Sequence, residues 1–233
     1  ILENNEEVAD VLNQKNIKNV ILVTDKGINS LGLTKKLEEK LQNNGINVVV
    51  YDETVPNPTT NNVEDALKLY KENNCEAIIA FGGGSPIDCA KAIGARIACP
   101  KKSLKKLKGI LKVTHKLPTL FCVPTTAGTG SETTITSVIS DSETHEKYTI
   151  NDFKLVPEFA VLDPVATFTL PKHLTSTTGL DALTHAIEAY IGKSTSKTTR
   201  KQSLEAIKLI FENILVAYNE PLNYEARRNM LLA

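Results

Sequence analysis

Two side chains that could bind a metal ion, Asp181 and His185, lie four residues apart in the stretch LPKHLTSTTGLDALTHAIEAY at 170–190. In an α-helix, residues at this spacing lie one above the other on the same face. A carboxylate and an imidazole placed in this way can hold a divalent metal from one side. The spacing also fits a carboxylate that stabilises a helix start and a half-buried histidine that binds nothing, but the glycine-rich loop upstream favours a metal site.

That glycine-rich loop has the sequence GGGSPID at 82–88 and follows the apolar run AIIAF at 77–81. Three glycines let the backbone turn tightly and approach a ligand, because no Cβ is in the way. A helix that begins behind such a turn favours phosphate through its free N–H groups and its dipole, although a purely structural turn is the alternative. The pattern predicts Ser85 as N-cap, Pro86 as the first helical residue and Asp88 as the partner of Ser85 in a capping box. We therefore interpret Asp88 as a capping residue rather than a catalytic one.

A second polar loop, PTTAGTGSE at 124–132, follows the apolar run at 120–123 and precedes a predicted strand at 135–139. Its four hydroxyl groups can donate hydrogen bonds to a phosphate or to a polar ring amide. An ordinary polar turn is the alternative. Lys147 could reach a phosphate or a sugar, although a lone lysine is usually just solvated.

The order of apolar runs and amphipathic segments predicts a parallel sheet. Continuous apolar runs alternate with helical patterns, which is typical of βαβ units in an α/β fold. The predicted strands span 19–24, 47–51, 77–81, 120–123 and 159–162, and the predicted helices span 2–15, 31–43, 63–73 and about 85–98. Ligands of such sheets bind at the carboxyl ends of the strands, where Asp25 and the glycine loop are expected.

The periodicity changes to helix after helix beyond residue 167, with helices predicted at 173–192, about 198–218 and 222 to the end. We therefore predict an α/β domain over 1–167, followed by an all-helical region at 168–233. The lysine-rich segment at 100–116 is predicted to be a solvated surface.

Composition excludes several partners. The chain has 27 Lys and Arg residues and 27 Asp and Glu residues, so its net charge is zero, which argues against nucleic acid as the main partner. No apolar run approaches the roughly 20 residues that span a membrane, and the sequence has no secretion signal pattern. The four cysteines lack metal-finger spacing and are interpreted as reduced thiols of a cytoplasmic protein: Cys75, Cys89, Cys99 and Cys122.

Three motifs in a fixed order resemble the iron-dependent (group III) alcohol dehydrogenase family. They are GGGSPID at 82–88, PTTAGTGSE at 124–132 and TTGLDALTHAIEAY at 177–190, and VTDKG at 23–27 and PNPT at 56–59 agree with them. The resemblance implies a Rossmann-like dinucleotide domain, a helical domain and a cleft that holds NAD(P) and Fe(II). It also implies a homodimer. Zinc is an alternative metal, because Asp and His ligands accept both ions.

The resemblance also implies roles for individual residues. Asp25 would accept hydrogen bonds from the adenosine ribose, and a carboxylate there favours NAD over NADP because it repels a 2′-phosphate. Asp181 and His185 would be the first two metal ligands. The other implied cofactor contacts are Asn57 near the ribose, Gly83, Gly84 and Ser85 at the pyrophosphate, Thr125, Thr126, Thr129 and Val138 toward the nicotinamide, and Lys147 and Leu170.

The chain departs from the family pattern at the metal site. Members supply two further histidine ligands from a more C-terminal helical region, and of the histidines here (His115, His145, His173 and His185) only His185 lies in a ligand motif. Two ligands seldom hold a catalytic ion firmly. We therefore interpret the 233 residues as a fragment of a longer dehydrogenase that by itself binds nucleotide better than it oxidises alcohol.

The resulting hypothesis is NAD-dependent hydride transfer between a small alcohol or diol and its aldehyde, with the metal polarising the substrate oxygen. No residue is a convincing proton shuttle. The alternatives are a glycerol or glycerol-phosphate dehydrogenase, a dehydroquinate-synthase-like lyase and a non-catalytic NAD-binding module. Linear primary alcohols, short diols and hydroxy acids all remain open as substrates.

Overall fold

The computed structural model describes all residues 1–233, and their contacts divide into two units. The first unit comprises Ile1–Pro124 and Ser131–Val161. The second comprises Thr125–Gly130 and Leu162–Ala233. The chain thus passes into the second unit after Val161, whereas the sequence pattern predicted a boundary after residue 167. Residues 125–130 of the polar loop PTTAGTGSE, called the hydroxyl-rich loop below, also belong to the second unit.

The first unit is built on a parallel sheet, as the apolar runs predicted. The strands of the chain are β1 Asn19–Val23, β2 Asn47–Tyr51, β3 Ala77–Gly82, β4 Gly109–Ile110, β5 Thr119–Pro124, β6 Thr136–Ser140, β7 Lys147–Asn151 and β8 Phe159–Ala160. Five of them form the parallel sheet in the order β2-β1-β3-β5-β8. All of β3 and most of β1 and β5 are buried, because helices cover both faces of such a sheet.

Nine α-helices accompany these strands. They are α1 Glu7–Gln14, α2 Lys26–Ser30, α3 Lys35–Asn43, α4 Thr60–Glu72, α5 Gly84–Ala98, α6 Leu104–Leu107, α7 Lys172–Ile191, α8 Lys197–Asn219 and α9 Tyr224–Leu232. None of them combines the length and the apolar character that crossing a membrane requires. The α/β unit followed by a helical region therefore confirms the predicted fold class.

Three helix starts differ from the predictions, each for a local reason. The helix predicted at 2–15 begins only at Glu7, because Leu2 pairs with Val161 as a β-bridge instead. The segment at 31–43 is not one helix, because Gly32 adopts a left-handed φ of 69° between α2 and α3. Helix α4 begins earlier than predicted, because Thr59 and Asn62 form a capping box.

The predicted capping box of Ser85 and Asp88 is wrong. Helix α5 begins at Gly84 with Gly83 as its N-cap, and no side chain caps it. The turn depends on Gly82, whose φ is 153° and whose Cβ, if it had one, would lie 2.6 Å from the Pro86 ring. Asp88 consequently lies within the first turns of α5 and is available for partners outside the helix.

A small second sheet packs on α5 in the same unit. Its order is β4-β7-β6, with β6 and β7 antiparallel and β4 parallel to β7. The lysine-rich segment that leads into it is only partly solvated, in contrast to the prediction. Its apolar residues Leu104, Leu107 and Val113 are buried in the core of the first unit.

The second unit is a helical layer formed by α7, α8 and α9. Ala182 of α7, Ile210 of α8 and Met230 of α9 form its core with neighbouring apolar residues. The buried guanidinium of Arg227 links two of these helices, because its Nη1 donates to Thr175 Oγ1 at 3.0 Å. Burial lowers the pKa of Arg227.

Candidate functional site

Asp25 and the glycine loop lie at the same edge of the parallel sheet, because β1 and β3 are neighbouring parallel strands. Asp25 is the N-cap of α2, and its Oδ1 accepts a hydrogen bond from the backbone N of Ile28 at 2.9 Å. The cap fixes the carboxylate at the carboxyl end of β1. Asp25 and the glycine loop therefore follow neighbouring strands at the carboxyl edge of the sheet, where the sequence pattern placed them.

Two further carboxylates make this edge of the sheet acidic. Glu53 follows β2 and forms a β-bridge with Asp25. Asp52 accepts a hydrogen bond at Oδ2 from Asn29 Nδ2 at 2.6 Å, and Lys26 pairs with Glu53 at 2.7 Å. Three carboxylates and one ammonium group thus lie together, so a doubly charged phosphate is disfavoured there.

The N-terminus of α5 has the features of an anion site. Gly83 is extended, and no side chain caps the helix, so first-turn N–H groups remain available as donors. Ser85 lies in this turn, and its Oγ accepts a hydrogen bond from the backbone N of Asn57 at 3.2 Å. The structure therefore brings Asn57 and Ser85 together, which the sequence separation did not reveal.

The hairpin of β6 and β7 contacts the loop that carries Asn57. Lys147 pairs with Ser140 in the hairpin, and the backbone N of Ser140 donates to Pro58 O at 2.9 Å. The exposed Lys147 therefore begins a strand whose partner runs beside the loop that carries Asn57. Val138 lies on β6, two residues before Ser140.

Lys91 and Glu132 are buried, and Asp88 is partly buried close to them; the sequence analysis assigned none of the three to a charged cluster. Burial raises the pKa values of Asp88 and Glu132 and lowers the pKa of Lys91. Lys91 is fully buried, and its Nζ donates to Thr134 and Thr136. The signal that could have identified it is a single lysine in an otherwise apolar helix, CAKAIGA at 89–95.

The second unit brings residues 125–130 of the hydroxyl-rich loop close to α7, which carries Asp181 and His185. Gly128 packs so closely on α7 that an added Cβ would lie 2.0 Å from the carbonyl O of Thr178. Thr178 precedes Asp181 by three residues on the same helix. In the same loop, Thr126 Oγ1 is buried without a hydrogen-bond partner in the protein, which leaves a donor for a ligand. Thr125 and Thr129 flank it, and Thr125 is buried.

Asp181 and His185 lie on one face of α7, as their spacing predicted. Asp181 Oδ1 and His185 Nε2 are 3.7 Å apart, and both side chains are about half exposed. No group of three potential metal ligands occurs in the chain.

Leu170 lies in the turn that precedes α7, where its backbone N donates to Thr167 O at 3.1 Å.

The other histidines are not part of this pair. His173 lies in the first turn of α7 and is exposed. His115 Nδ1 lies 3.1 Å from Ala98 O, and His145 occupies a left-handed turn with a φ of 57°. His185 is therefore the one histidine of the chain that is paired with a carboxylate at metal-ligand spacing.

Two family profiles match the chain. The profile described as iron-containing alcohol dehydrogenase matches residues 3–164. The profile described as the C-terminal part of the Fe-containing alcohol dehydrogenase family matches residues 175–233. Together they cover both units.

Curated relatives match over nearly the whole chain. Alcohol dehydrogenase 4 of Saccharomyces cerevisiae is 41% identical over 98% of this chain and 59% of its own length. The 1,3-propanediol dehydrogenase of Citrobacter freundii is 40% identical over 93% of this chain and 56% of its own length. The chain therefore spans somewhat less than 60% of the length of these relatives.

Solved structures share the fold. A 1,3-propanediol oxidoreductase matches with a TM-score of 0.94 and 36% identity, over 98% of this chain and 59% of the other. A sulfoacetaldehyde reductase from Bifidobacterium kashiwanohense, solved in complex with NAD+, matches with a TM-score of 0.88 and 30% identity, over 97% of this chain and 60% of the other.

Proposed function

The chain belongs to the iron-containing alcohol dehydrogenase family, and from that premise we propose that the protein interconverts a small alcohol or diol and its aldehyde with NAD and a divalent metal. The observation that carries this proposal is the contact of Gly128 with Thr178. It holds the loop that offers hydroxyl donors beside the helix that offers two metal ligands. A hydride acceptor and a metal that share one substrate must be bound at neighbouring sites.

The residues fit a divalent metal as part of its ligand shell. Two donors that each lie about 2.1 Å from one ion are no more than about 4.2 Å apart. The 3.7 Å between Asp181 Oδ1 and His185 Nε2 meets this requirement, and half-exposed side chains leave room for further ligands. Iron(II) is the proposed ion, with zinc as the alternative, because both accept carboxylate and imidazole donors.

The residues also fit a dinucleotide. Uncapped N–H groups at the start of α5, at Gly83, Gly84 and Ser85, suit a pyrophosphate. The buried hydroxyl of Thr126 lacks a partner within the protein, so a polar group of the ligand would satisfy it. Thr125, Thr129, Val138, Lys147 and Leu170 complete the proposed contacts.

NAD rather than NADP follows from charge. Asp25, Asp52 and Glu53 gather at the carboxyl ends of β1 and β2. A carboxylate accepts hydrogen bonds from ribose hydroxyl groups but repels a 2′-phosphate. Asn57, which is fixed by its contact with Ser85, is proposed to lie beside the same ribose.

The bound groups and the protein have different roles in the proposed reaction. The nicotinamide would accept or donate the hydride, and the metal would supply Lewis acidity at the substrate oxygen. The protein's own residues bind and orient these groups. The threonine loop orients the ring end of the cofactor, α5 binds its phosphates, and Asp181 and His185 hold the ion at the face of α7.

The proposed substrates are a small alcohol or a diol, by similarity to an alcohol dehydrogenase and a 1,3-propanediol dehydrogenase. We test the proposal with the full-length protein, loaded with Fe(II) or zinc or stripped of metal. NADH formation is followed with a primary alcohol, a short diol, glycerol and a hydroxy acid. Metal-dependent NADH formation from the alcohol or the diol supports the proposal, and NADH binding without turnover of any substrate in the loaded protein contradicts it.

A further inference from the structure

The lysine-rich segment at 100–116 concentrates positive charge in a chain whose net charge is zero. It contains seven lysines and no acidic residue, whereas the whole chain has 27 basic and 27 acidic residues. Because the two totals are equal, the residues outside the segment carry an excess of seven acidic groups. A charge asymmetry of this kind favours contact between the basic segment and an anionic surface or polymer.

Much of the positive charge in the segment is available to a partner. Lys108 and Lys116 form its ion pairs, with Glu146 and Glu158. Lys102 Nζ instead donates to a backbone carbonyl O of the same segment, that of residue 112, at 2.7 Å, which brings these two parts of the segment together. Three further lysines are exposed and form no ion pair: Lys101, Lys106 and Lys112.

The segment is attached to the first unit at several points. Leu104 and Leu107 of α6 are buried in the core, and so is Val113. The backbone N of Val113 donates to the buried Asp152 Oδ2 at 3.0 Å, and β4 pairs with β7. The residues between these points are therefore held at the surface in a defined position.

Two aliphatic side chains project from the surface between the attachment points. Ile110 is 72% exposed and Leu111 is 61% exposed. Leu111 also has a left-handed φ of 54°, which is unfavourable for a residue with a Cβ, and its backbone N donates to Asn151 O at 2.8 Å. The chain thus adopts a strained conformation at a leucine whose side chain is mostly in water, so burial within the protein does not offset the strain.

Lysines beside exposed aliphatic side chains match the chemistry of an anionic lipid surface. The ammonium groups pair with lipid phosphates, and the aliphatic groups enter the boundary between headgroups and acyl chains. Nucleic acid fits less well, because the segment has no arginine to read bases and no Phe, Tyr or Trp on which bases could stack. A surface contact also needs no membrane-spanning helix.

We propose that residues 101–112 form a docking site for an anionic phospholipid membrane. Ile110 and Leu111 enter the lipid interface, while Lys106 and Lys112, which flank them in sequence, contact the headgroup phosphates. Neither contribution is sufficient alone, because a few lysines or one pair of aliphatic residues gives only marginal membrane binding. The inference does not depend on the proposed reaction, since none of these residues is assigned to the cofactor or the metal.

The test measures co-sedimentation of the full-length protein with phospholipid vesicles. One set of vesicles contains phosphatidylcholine and phosphatidylserine in equal parts, and the other contains phosphatidylcholine alone. We expect binding to the anionic vesicles at an ionic strength of about 0.1 M and at least about tenfold weaker binding to the neutral ones. Salt at about 1 M should remove most of this difference, because it shortens the Debye length to about 3 Å.

Two sets of substitutions separate the charge from the apolar contact. The double variant Lys106→Gln, Lys112→Gln should bind anionic vesicles at least about tenfold more weakly. Lys71→Gln with Lys193→Gln is its control, because both lysines are exposed and lie outside the segment, and it should change binding by less than about twofold.

Leu111→Asn tests the apolar contact without harm to the fold, because asparagine tolerates a left-handed φ better than leucine does. We expect it to weaken vesicle binding about tenfold. Leu31→Asn is the matched control, since it makes the same change at a leucine that is 64% exposed and lies on α2. It should leave vesicle binding within about twofold of the wild type.

Several results would overturn the proposal. Equal binding to the two kinds of vesicle, or binding to neither, excludes an anionic lipid site. Equal effects of Leu111→Asn and Leu31→Asn exclude the apolar contact. If the wild type ignores vesicles but binds a DNA duplex through Lys106 and Lys112, the partner is nucleic acid and the lipid assignment is wrong. Alcohol oxidation is measured without lipid, so each of these results leaves the proposed function untouched.

Discussion

Gly128 lies against the backbone of Thr178, so closely that a Cβ at Gly128 would be 2.0 Å from the Thr178 carbonyl oxygen. This contact joins the loop at 125–130 to α7 one turn before Asp181. Helix backbone cannot move aside as the tip of a side chain can, so only glycine allows the approach. The position of the loop relative to Asp181 and His185 therefore depends on the absence of a methyl group at Gly128.

Gly128→Ala is expected to lower stability and activity together. The added methyl group must push the loop away from α7, and overpacking of this kind costs about 1–3 kcal/mol. Gly179→Ala is the matched control, since its Cβ would meet only the side-chain ends of Ile214 and Met230, at 2.8 and 3.0 Å. Urea unfolding and NADH formation are measured for both variants. Equal losses in the two variants would contradict the role of the backbone contact.

Removal of either proposed metal ligand should abolish metal retention. Asp181→Asn removes the negative charge of one proposed ligand and His185→Ala deletes the other, and we expect at least about a hundredfold weaker binding of Fe(II) or zinc in each variant. His173→Ala changes an exposed histidine of the same helix and should leave metal content unchanged. Metal per protein is measured after gel filtration. Wild-type content in Asp181→Asn would refute the assignment.

Local patterns predicted the sheet and the helices well, because burial of regular elements leaves periodic signals. The apolar runs of β1, β3 and β5 correspond to buried parallel strands within one or two residues of the predicted bounds. Strand β7, with the sequence KYTIN, was not predicted. It alternates between exposed and buried positions over only five residues, and its pairing with β6 and β4 is a tertiary property.

The candidate site was predictable where its residues are close in sequence. The pair of Asp181 and His185 follows from helix geometry alone, and the structure keeps it on one face of α7. Asp88 was misinterpreted because Ser85 and Pro86 gave a plausible helix start. Its actual partners, Ser131 and Val138, lie far along the chain, so no local pattern could indicate them.

Neutralisation of Glu132 should stabilise the protein near neutral pH. Buried Glu132 and Lys91 lie close to the partly buried Asp88, so two carboxylates accompany one ammonium group. Burial raises the pKa of Glu132 above its ordinary value of 4.5, which means that the folded state binds the proton more tightly than the unfolded state. The free energy of unfolding therefore falls as pH rises from 4.5 through the folded pKa.

Glu132→Gln removes this pH-dependent fall in the free energy of unfolding, because an amide is uncharged throughout the measured range of pH 4 to pH 8. We expect the variant to be more stable than the wild type at pH 7, by roughly 1 kcal/mol, and the difference to vanish below about pH 4.5. Urea unfolding is measured from pH 4 to pH 8. A variant that is less stable at pH 7 would mean that the charge of Glu132 is needed to balance Lys91.

Replacement of Asp25 by serine should shift the cofactor preference toward NADP. Serine is an N-cap as good as aspartate, so Asp25→Ser keeps the hydrogen bond from Ile28 N while it removes the charge. The loss of one carboxylate lowers the repulsion of a 2′-phosphate. We expect the ratio of kcat/KM for NADP to that for NAD to rise about tenfold. Because Asp52 and Glu53 remain, a complete reversal of the preference is not expected.

The control for this change is Asp10→Ser, which removes one exposed carboxylate from α1 at a position with no assigned role. It should leave the ratio within about twofold of the wild type, since a distant surface charge is screened. Asp25→Ser with an unchanged ratio and an unchanged unfolding temperature would show that Asp25 acts only as a helix cap. In that case Asp52, which Asn29 holds in place at 2.6 Å, is the next carboxylate to replace.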